Sequence, residues 1–138
     1  DNPTRMLGAF AGNRYFLYRH PTDMRKGFAG LSGLVINEMG FDHLSGDAYI
    51  FLNKRRTLVK ILIWDRTGFV IYYKKLACGT FELPQWKDEK NNKELSVALL
   101  MMILEGVKVS TAQMRKRYIS VKERRAKINR NKCKHIRI

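Results

Sequence analysis

Cysteine is almost missing from this chain. Of 138 residues only Cys78 and Cys133 are cysteines, and they form no CxxC pair or Cys/His cluster. That excludes a disulfide framework and a zinc site of the usual spacing, and it fits a reducing cytoplasm. Proline is scarce, with 3 residues in all, and beyond Val109 there is neither Pro nor Gly. Long apolar runs are missing too. The longest, Val97 to Leu104, is eight residues, where about 20 would be needed to cross a bilayer. Asn13 and Arg14 interrupt the weak apolar stretch after Met6, so no signal-peptide pattern emerges, and a cytoplasmic protein without a membrane partner is expected. No Walker-type phosphate loop and no dinucleotide fingerprint occur, so the reading calls for no cofactor and no small-molecule substrate.

Acid is scarce at one end, and this shapes the rest. The formal net charge is +15. Residues 1–107 hold 15 Lys/Arg and 11 Asp/Glu, whereas residues 108–138 hold 12 Lys/Arg against the single acid Glu123. Such an excess repels itself in a compact monomer, and a polyanion is the usual relief. Hydrophobic residues make up 45% of the chain, enough for a real core. The length suits one domain. The expected organisation is a single α+β domain over 1–109 and a basic C-terminal extension over 110–138, helical if Ser110 or Thr111 caps it and Met114, Tyr118 and Val121 form its seam.

Aromatic-rich Arg14–Tyr18 reads as a first strand, ended by Pro21. Thr22 and Asp23 offer N-cap oxygens. Met24, Phe28, Leu31 and Val35 then fall at i, i+4, i+7 and i+11, one helical stripe, with Gly40 placed as a C′ glycine. Gly27, Gly30 and Gly33 each cost a helix about 1 kcal/mol against Ala, which suggests that a strand backbone approaches where side chains are missing. Ala48–Leu52, Leu58–Trp64 and Phe69–Leu76 read as an antiparallel meander, with Thr80–Leu83 a possible short fourth strand. Glu94–Leu104 reads as a helix apolar nearly all round, preceded by a polar loop, Asp88–Lys93.

Asp65-Arg-Thr-Gly68 suits a three-residue hairpin loop with a left-handed glycine. That loop opposes Lys60 to Lys74 and Ile61 to Tyr73. Two like charges face to face are unfavourable unless an anion sits between them. Lys54, Arg55, Arg56 and Lys75 lie at the same end of the hairpin, so six cations are expected to converge on one sheet edge, with Tyr72 and Trp64 as stacking surfaces or core.

Two stretches carry a resemblance. One is Pro21-Thr-Asp-Met-Arg-Lys-Gly-Phe28 followed by Gly30-Leu31. The other runs Val59-Lys-Ile-Leu, Trp64-Asp65, Thr67-Gly68-Phe69, then Lys75-Leu76, Gly79, Phe81 and Pro84. Over about residues 14–107 the chain resembles the TnpB, or Orf2-like, accessory proteins of the insertion-sequence 66 class of bacterial transposons. Ala29 stands where such proteins often have Asp, and Ala77-Cys78 replaces a charged pair. The resemblance implies a role in transposition beside a separate transposase that carries the strand-transfer chemistry.

Catalytic constellations are weak. His20, Asp23 and His43 match no ligand spacing, and Asp23, Asp65 and Glu105 as a nuclease triad compete with simpler roles in a cap, a turn and a helix end. Cys78 has no His nearby in sequence to activate it. No enzyme and no metal are expected. Candidate nucleic-acid contacts are Arg25 and Lys26 in the first helical turn, then Lys54, Arg55, Arg56, Lys60, Lys74 and Lys75. The extension adds Arg115, Lys116, Arg117, Arg124 and Arg125. Contacts of this kind position a duplex without reading its sequence. The alternative is a protein-interaction module docking on the transposase through the apolar helix.

Overall fold

The computed structural model of the protein describes residues 13–106. The architecture is α+β, as expected: five strands in one mixed sheet, with a helix against each face. The strands are β1 (Tyr15–Tyr18), β2 (Ala48–Leu52), β3 (Leu58–Trp64), β4 (Phe69–Lys75) and β5 (Asn92–Leu95), in the order β4-β3-β2-β1-β5. Helix α1 (Phe28–Leu34) runs on into a π-helical turn, Val35–Met39, and helix α2 covers Val97–Leu104.

β2, β3 and β4 form the expected meander. β1 instead pairs with β2 in parallel, Tyr15 opposite Ala48 and Leu17 opposite Ile50. Parallel neighbours need a long crossover, and the segment from Arg19 to Asp47 supplies it, with α1 inside. β5 was expected as loop and helix start, yet it pairs antiparallel with β1, Leu95 opposite Tyr15. α2 therefore starts later than Glu94. Ser96 sets the boundary, its Oγ accepting from the Leu99 N–H at 3.1 Å as an N-cap. Thr80–Leu83 forms no strand. Its fully buried Phe81 plugs the core, and its N–H donates to the Arg56 carbonyl at 2.7 Å.

The first helix also begins later than its capping residues suggest. Asp23 Oδ1 accepts from the Arg25 N–H at 2.9 Å, which closes a local turn, and the helix starts after Gly27 with no side-chain cap. Leu31, Val35 and Met39 face the sheet, while Phe28 is 51% exposed. Gly40 does take the left-handed conformation, φ 73°, that ends the helix. The glycines are not used for strand packing. A Cβ at Gly27 or Gly33 would meet nothing within 4 Å, and one at Gly30 would reach only the Lys26 side chain, at 3.0 Å.

Period-two alternation divides the core between the two faces. Under α2 lie Tyr15, Leu17, Ile50, Val59, Ile61 and Ile63, with Phe81, Leu100, Ile103 and Leu104. Under α1 lie Phe16, Tyr18, Tyr49, Phe51 and Leu62, with Leu31, Val35 and Met39. A sheet covered on both sides explains why β2 is buried at every residue, AYIFL.

Candidate nucleic-acid interface

Because β1 and β2 are parallel, they end side by side. β3 begins and β4 ends at the same end of the sheet, so the segments after β1, between β2 and β3 and after β4 all gather there. The β2–β3 turn is organised by Asn53. Its Oδ1 accepts from the N–H groups of Thr57 and Leu58, both at 2.9 Å, and its Nδ2 donates to Thr57 Oγ1 at 3.0 Å. Asx-type bonding of this sort fixes a turn from within. Arg56 sits in the left-handed region at φ 57°, an unusual position for a residue with a Cβ. Lys54, Arg55 and Arg56 are all exposed, and among the described residues none forms an ion pair with a carboxylate.

The expected convergence of six cations is corrected in part by the hairpin register. The β3–β4 loop has two central residues, not three. Asp65 N–H donates to the Gly68 carbonyl at 3.0 Å, and Arg66 at φ 84° supplies the positive dihedral of a primed turn. Asp65 Oδ1 accepts from Thr67 and Gly68 N–H groups, which holds its carboxyl below the ordinary value. The one-residue difference slips every pair: Lys60 opposes Tyr73, and Lys74 opposes Val59. Lys60 and Lys74 therefore lie on opposite faces of the sheet.

Each lysine is engaged within the fold. Lys60 is 8% exposed. Its Nζ donates to the carbonyls of Met24 at 2.8 Å and Lys26 at 2.9 Å and sits 4.7 Å from the Tyr73 ring centroid. That ammonium pins the segment before α1 onto the sheet. Lys74 Nζ donates to the Leu104 carbonyl at 2.6 Å, a cation at the C-terminal end of α2 where the helix dipole favours one. Of the expected rim, Lys54, Arg55, Arg56 and Lys75 remain exposed at one end.

Arg25 and Lys26 precede α1 and do not occupy its first turn. The Arg25 guanidinium is clamped on Asp23, with Nη2 to Oδ2 at 2.7 Å, and this pairing draws the Asp23 carboxyl down to about 2. Lys26 is exposed, its stem against Gly30. Arg115, Lys116, Arg117, Arg124 and Arg125 lie outside the described residues, as does the helix expected of the extension. Tyr72 is half-buried under α2, and Trp64 packs edge-on against Phe69, ring centroids 5.0 Å apart.

Two exposed groups at the basic end, Arg19 and His20, are not among the nucleic-acid contacts expected from the sequence, where His20 is weighed only as a metal or acid–base residue. They follow β1 and stand beside the β2–β3 turn only because β1 and β2 are parallel. Arg19 Nη1 donates to the Asp88 carbonyl at 2.8 Å, and its guanidinium lies 5.5 Å from the Trp86 ring centroid. It is held in place without losing its charge to a carboxylate. His20 Nε2 is 3.0 Å from Asn91 Oδ1. Arg19, His20, Lys54 and Arg56 flank a shallow cavity of about 120 Å³ floored by Tyr18 and Leu52. The opposite end of the sheet carries Asp42, Asp47, Asp65 and the Arg14–Glu94 ion pair, 2.6 Å. Arg66 stands at that end too, and Asp23, Asp88 and Glu89 lie near the basic end, so the separation of charge along the strand axis is partial.

The competing constellations are taken apart by the fold. Asp23 follows β1 at the basic end, and Asp65 sits in the turn at the other end. His20 and His43 are separated in the same way, His43 stacking on Phe69 at 5.5 Å between ring centroids. Among the described residues no group of His, Cys, Asp or Glu is arranged to hold a metal ion. Cys78 is half-buried and free. The apolar helix α2 lays Leu100, Ile103 and Leu104 into the chain's own core, and Val97 is 50% exposed. No helix of the described residues is long and apolar enough to cross a membrane.

The chain is a small α+β fold in which Arg19, Lys54, Arg55, Arg56 and Lys75 are exposed around the ends of β1, β2 and β4. The chain belongs to the family described as IS66 Orf2 like protein, which matches residues 13–114. It is 34% identical over 83 residues to the uncharacterized protein y4jC of Sinorhizobium fredii, covering 60% of this chain and 71% of the relative. It is 28% identical over 102 residues to the uncharacterized protein y4hO of the same organism, covering 74% and 87%. No solved structure matches the chain. The family ties it to transposition, in an accessory role.

Proposed function

We propose that this chain binds duplex DNA through phosphate contacts at the basic end of its sheet and assists a separate transposase in the cytoplasm without catalysing bond formation itself. One observation carries the proposal: Lys54, Arg55 and Arg56 project from a turn braced by Asn53, with Arg19, Lys26 and Lys75 around them, and among the described residues no ion pair joins any of the six to a carboxylate. A braced turn backbone fixes where the Lys54, Arg55 and Arg56 side chains start, which lowers the ordering cost of binding. The extension adds Arg115, Lys116, Arg117, Arg124 and Arg125, residues whose composition suits a phosphate-binding arm. Contacts of this class carry affinity without base readout, so site choice belongs to the transposase. Lys60 and Lys74 hold the fold and touch no phosphate.

Anisotropy of a labelled generic duplex against salt tests this. Log K should fall linearly with log salt, with a slope of about −0.9 per phosphate contacted. Neutralising Lys54, Arg55 and Arg56 together should shrink the slope by between two and three units. Binding that ignores salt, or that is unmoved by the triple substitution, contradicts the proposal.

A further inference from the structure

The sheet has two open edges, and they are built differently. β5 is four residues, NKEL, and carries Lys93 and Glu94, with Arg14 clamped on Glu94. Short, charged edges of this kind resist pairing with another strand. β4 is seven residues, FVIYYKK, with no proline and no charge over its first five, and among the described residues no strand lies beyond it. The bonds that close the hairpin, Asp65 to Gly68 and Leu76 N–H to Thr57 carbonyl, set the ladder phase. In that phase Val70, Tyr72 and Lys74 bond to β3, and Phe69, Ile71, Tyr73 and Lys75 turn their N–H and C=O groups outward.

We infer that β4 is a docking edge for a second copy of this chain, the two β4 strands pairing antiparallel about a twofold axis at Tyr72. In that register Phe69 faces Lys75 of the other copy and Ile71 faces its Tyr73, so all four outward-facing residues find hydrogen-bonding partners. Registers centred on Ile71 or Tyr73 leave one of the four unpaired. Charge selects the direction, since antiparallel pairing sets Lys74 against Val70 and Lys75 against Phe69, whereas parallel pairing would stack lysine on lysine. The Tyr73 side chain is 53% exposed, and the Ile71 of the other copy would cover it as an aromatic–β-branched cross-strand pair. Antiparallel pairing also points the two basic ends in opposite directions. Resting on the proposed DNA contacts, one dimer then offers two separate duplex sites.

Sedimentation of the whole chain at about 0.5 M salt, where the Debye length falls to roughly 4 Å, separates pairing from charge repulsion and from DNA. The mass should rise with concentration to twice 16.1 kDa. In the same samples the Ile71 and Tyr73 amides should exchange at least about tenfold more slowly than in dilute protein. Tyr73→Pro removes an outward N–H, a substitution that edge strands accept, together with the ring beside Lys60 Nζ, a loss that Tyr73→Ala reproduces without blocking the edge. Tyr73→Pro should give a monomer in which the Val59 and Ile61 amides keep their protection. A chain that stays monomeric with fast Ile71 and Tyr73 exchange overturns the inference, whatever foreign strand the edge then accepts. A dimer whose Ile71 amide exchanges fast overturns it too.

Discussion

Lys60→Met distinguishes a structural lysine from a DNA contact. The substitution keeps most of the apolar stem and removes the ammonium that bridges the Met24 and Lys26 carbonyls beneath Tyr73. Hydrogen bonds to a charged group contribute about 1.5–3 kcal/mol each. Relief of the desolvation cost of burying the ammonium offsets part of this. Lys26 and its neighbours are exposed, so water can reach one or both orphaned carbonyls and lower the cost further. The net destabilisation should be about 2 kcal/mol, or roughly 10 °C in Tm for a domain of this size. Thermal unfolding by circular dichroism reads the loss, and duplex anisotropy against salt reads the binding. The salt slope should be unchanged in the folded variant. An unchanged Tm with a slope smaller by about 0.9 would refute the assignment and return Lys60 to the interface.

Three more outcomes follow from the same contacts. Arg56→Gly removes a side chain from a left-handed residue and should stabilise the fold by about 1 kcal/mol while weakening duplex binding; denaturant unfolding and anisotropy on one sample check both signs. The Asp23 carboxyl is depressed from 3.8 to about 2 by the Arg25 side chain and then its N–H. Stabilisation from that turn is therefore complete above the ordinary carboxylate range and lost as pH falls through about 2, which the Asp23 carboxyl carbon shift reports, a midpoint near 4 contradicting it. Ser96→Ala deletes the α2 N-cap and should cost about 1 kcal/mol with no change in DNA affinity.

The parts legible in the sequence were those fixed by local pattern. The meander strands, Gly40 and the basic β2–β3 turn each follow from alternation or turn chemistry within a few residues. What failed depended on long-range partners or on a single residue of register. Asp65–Gly68 carries the chemistry of the three-residue loop, whereas the two-residue loop puts Arg66 at a positive φ that Gly or Asn would favour, and that difference moved Lys60 and Lys74 onto opposite faces. β5 could not be read from Asn92-Lys-Glu-Leu95, because only the open edge of β1 makes a strand of it. Arg19 and His20 became part of the basic end through parallel pairing of β1 with β2, to which no local signal points. Asn53 was the available clue to the turn, an Asn immediately before a run of exposed cations.

An amide chemical-shift map of the isotope-labelled chain, titrated with a short duplex in moderate salt, addresses the location of the DNA surface directly. Shifts should concentrate at Arg19, His20, Lys26, Lys54–Thr57 and Lys75, with Asp42–Asp47 and Asp65–Gly68 at the opposite end of the sheet unmoved. Perturbations centred on the acidic end, or spread evenly over both ends, would contradict a phosphate-binding surface at the ends of β1, β2 and β4.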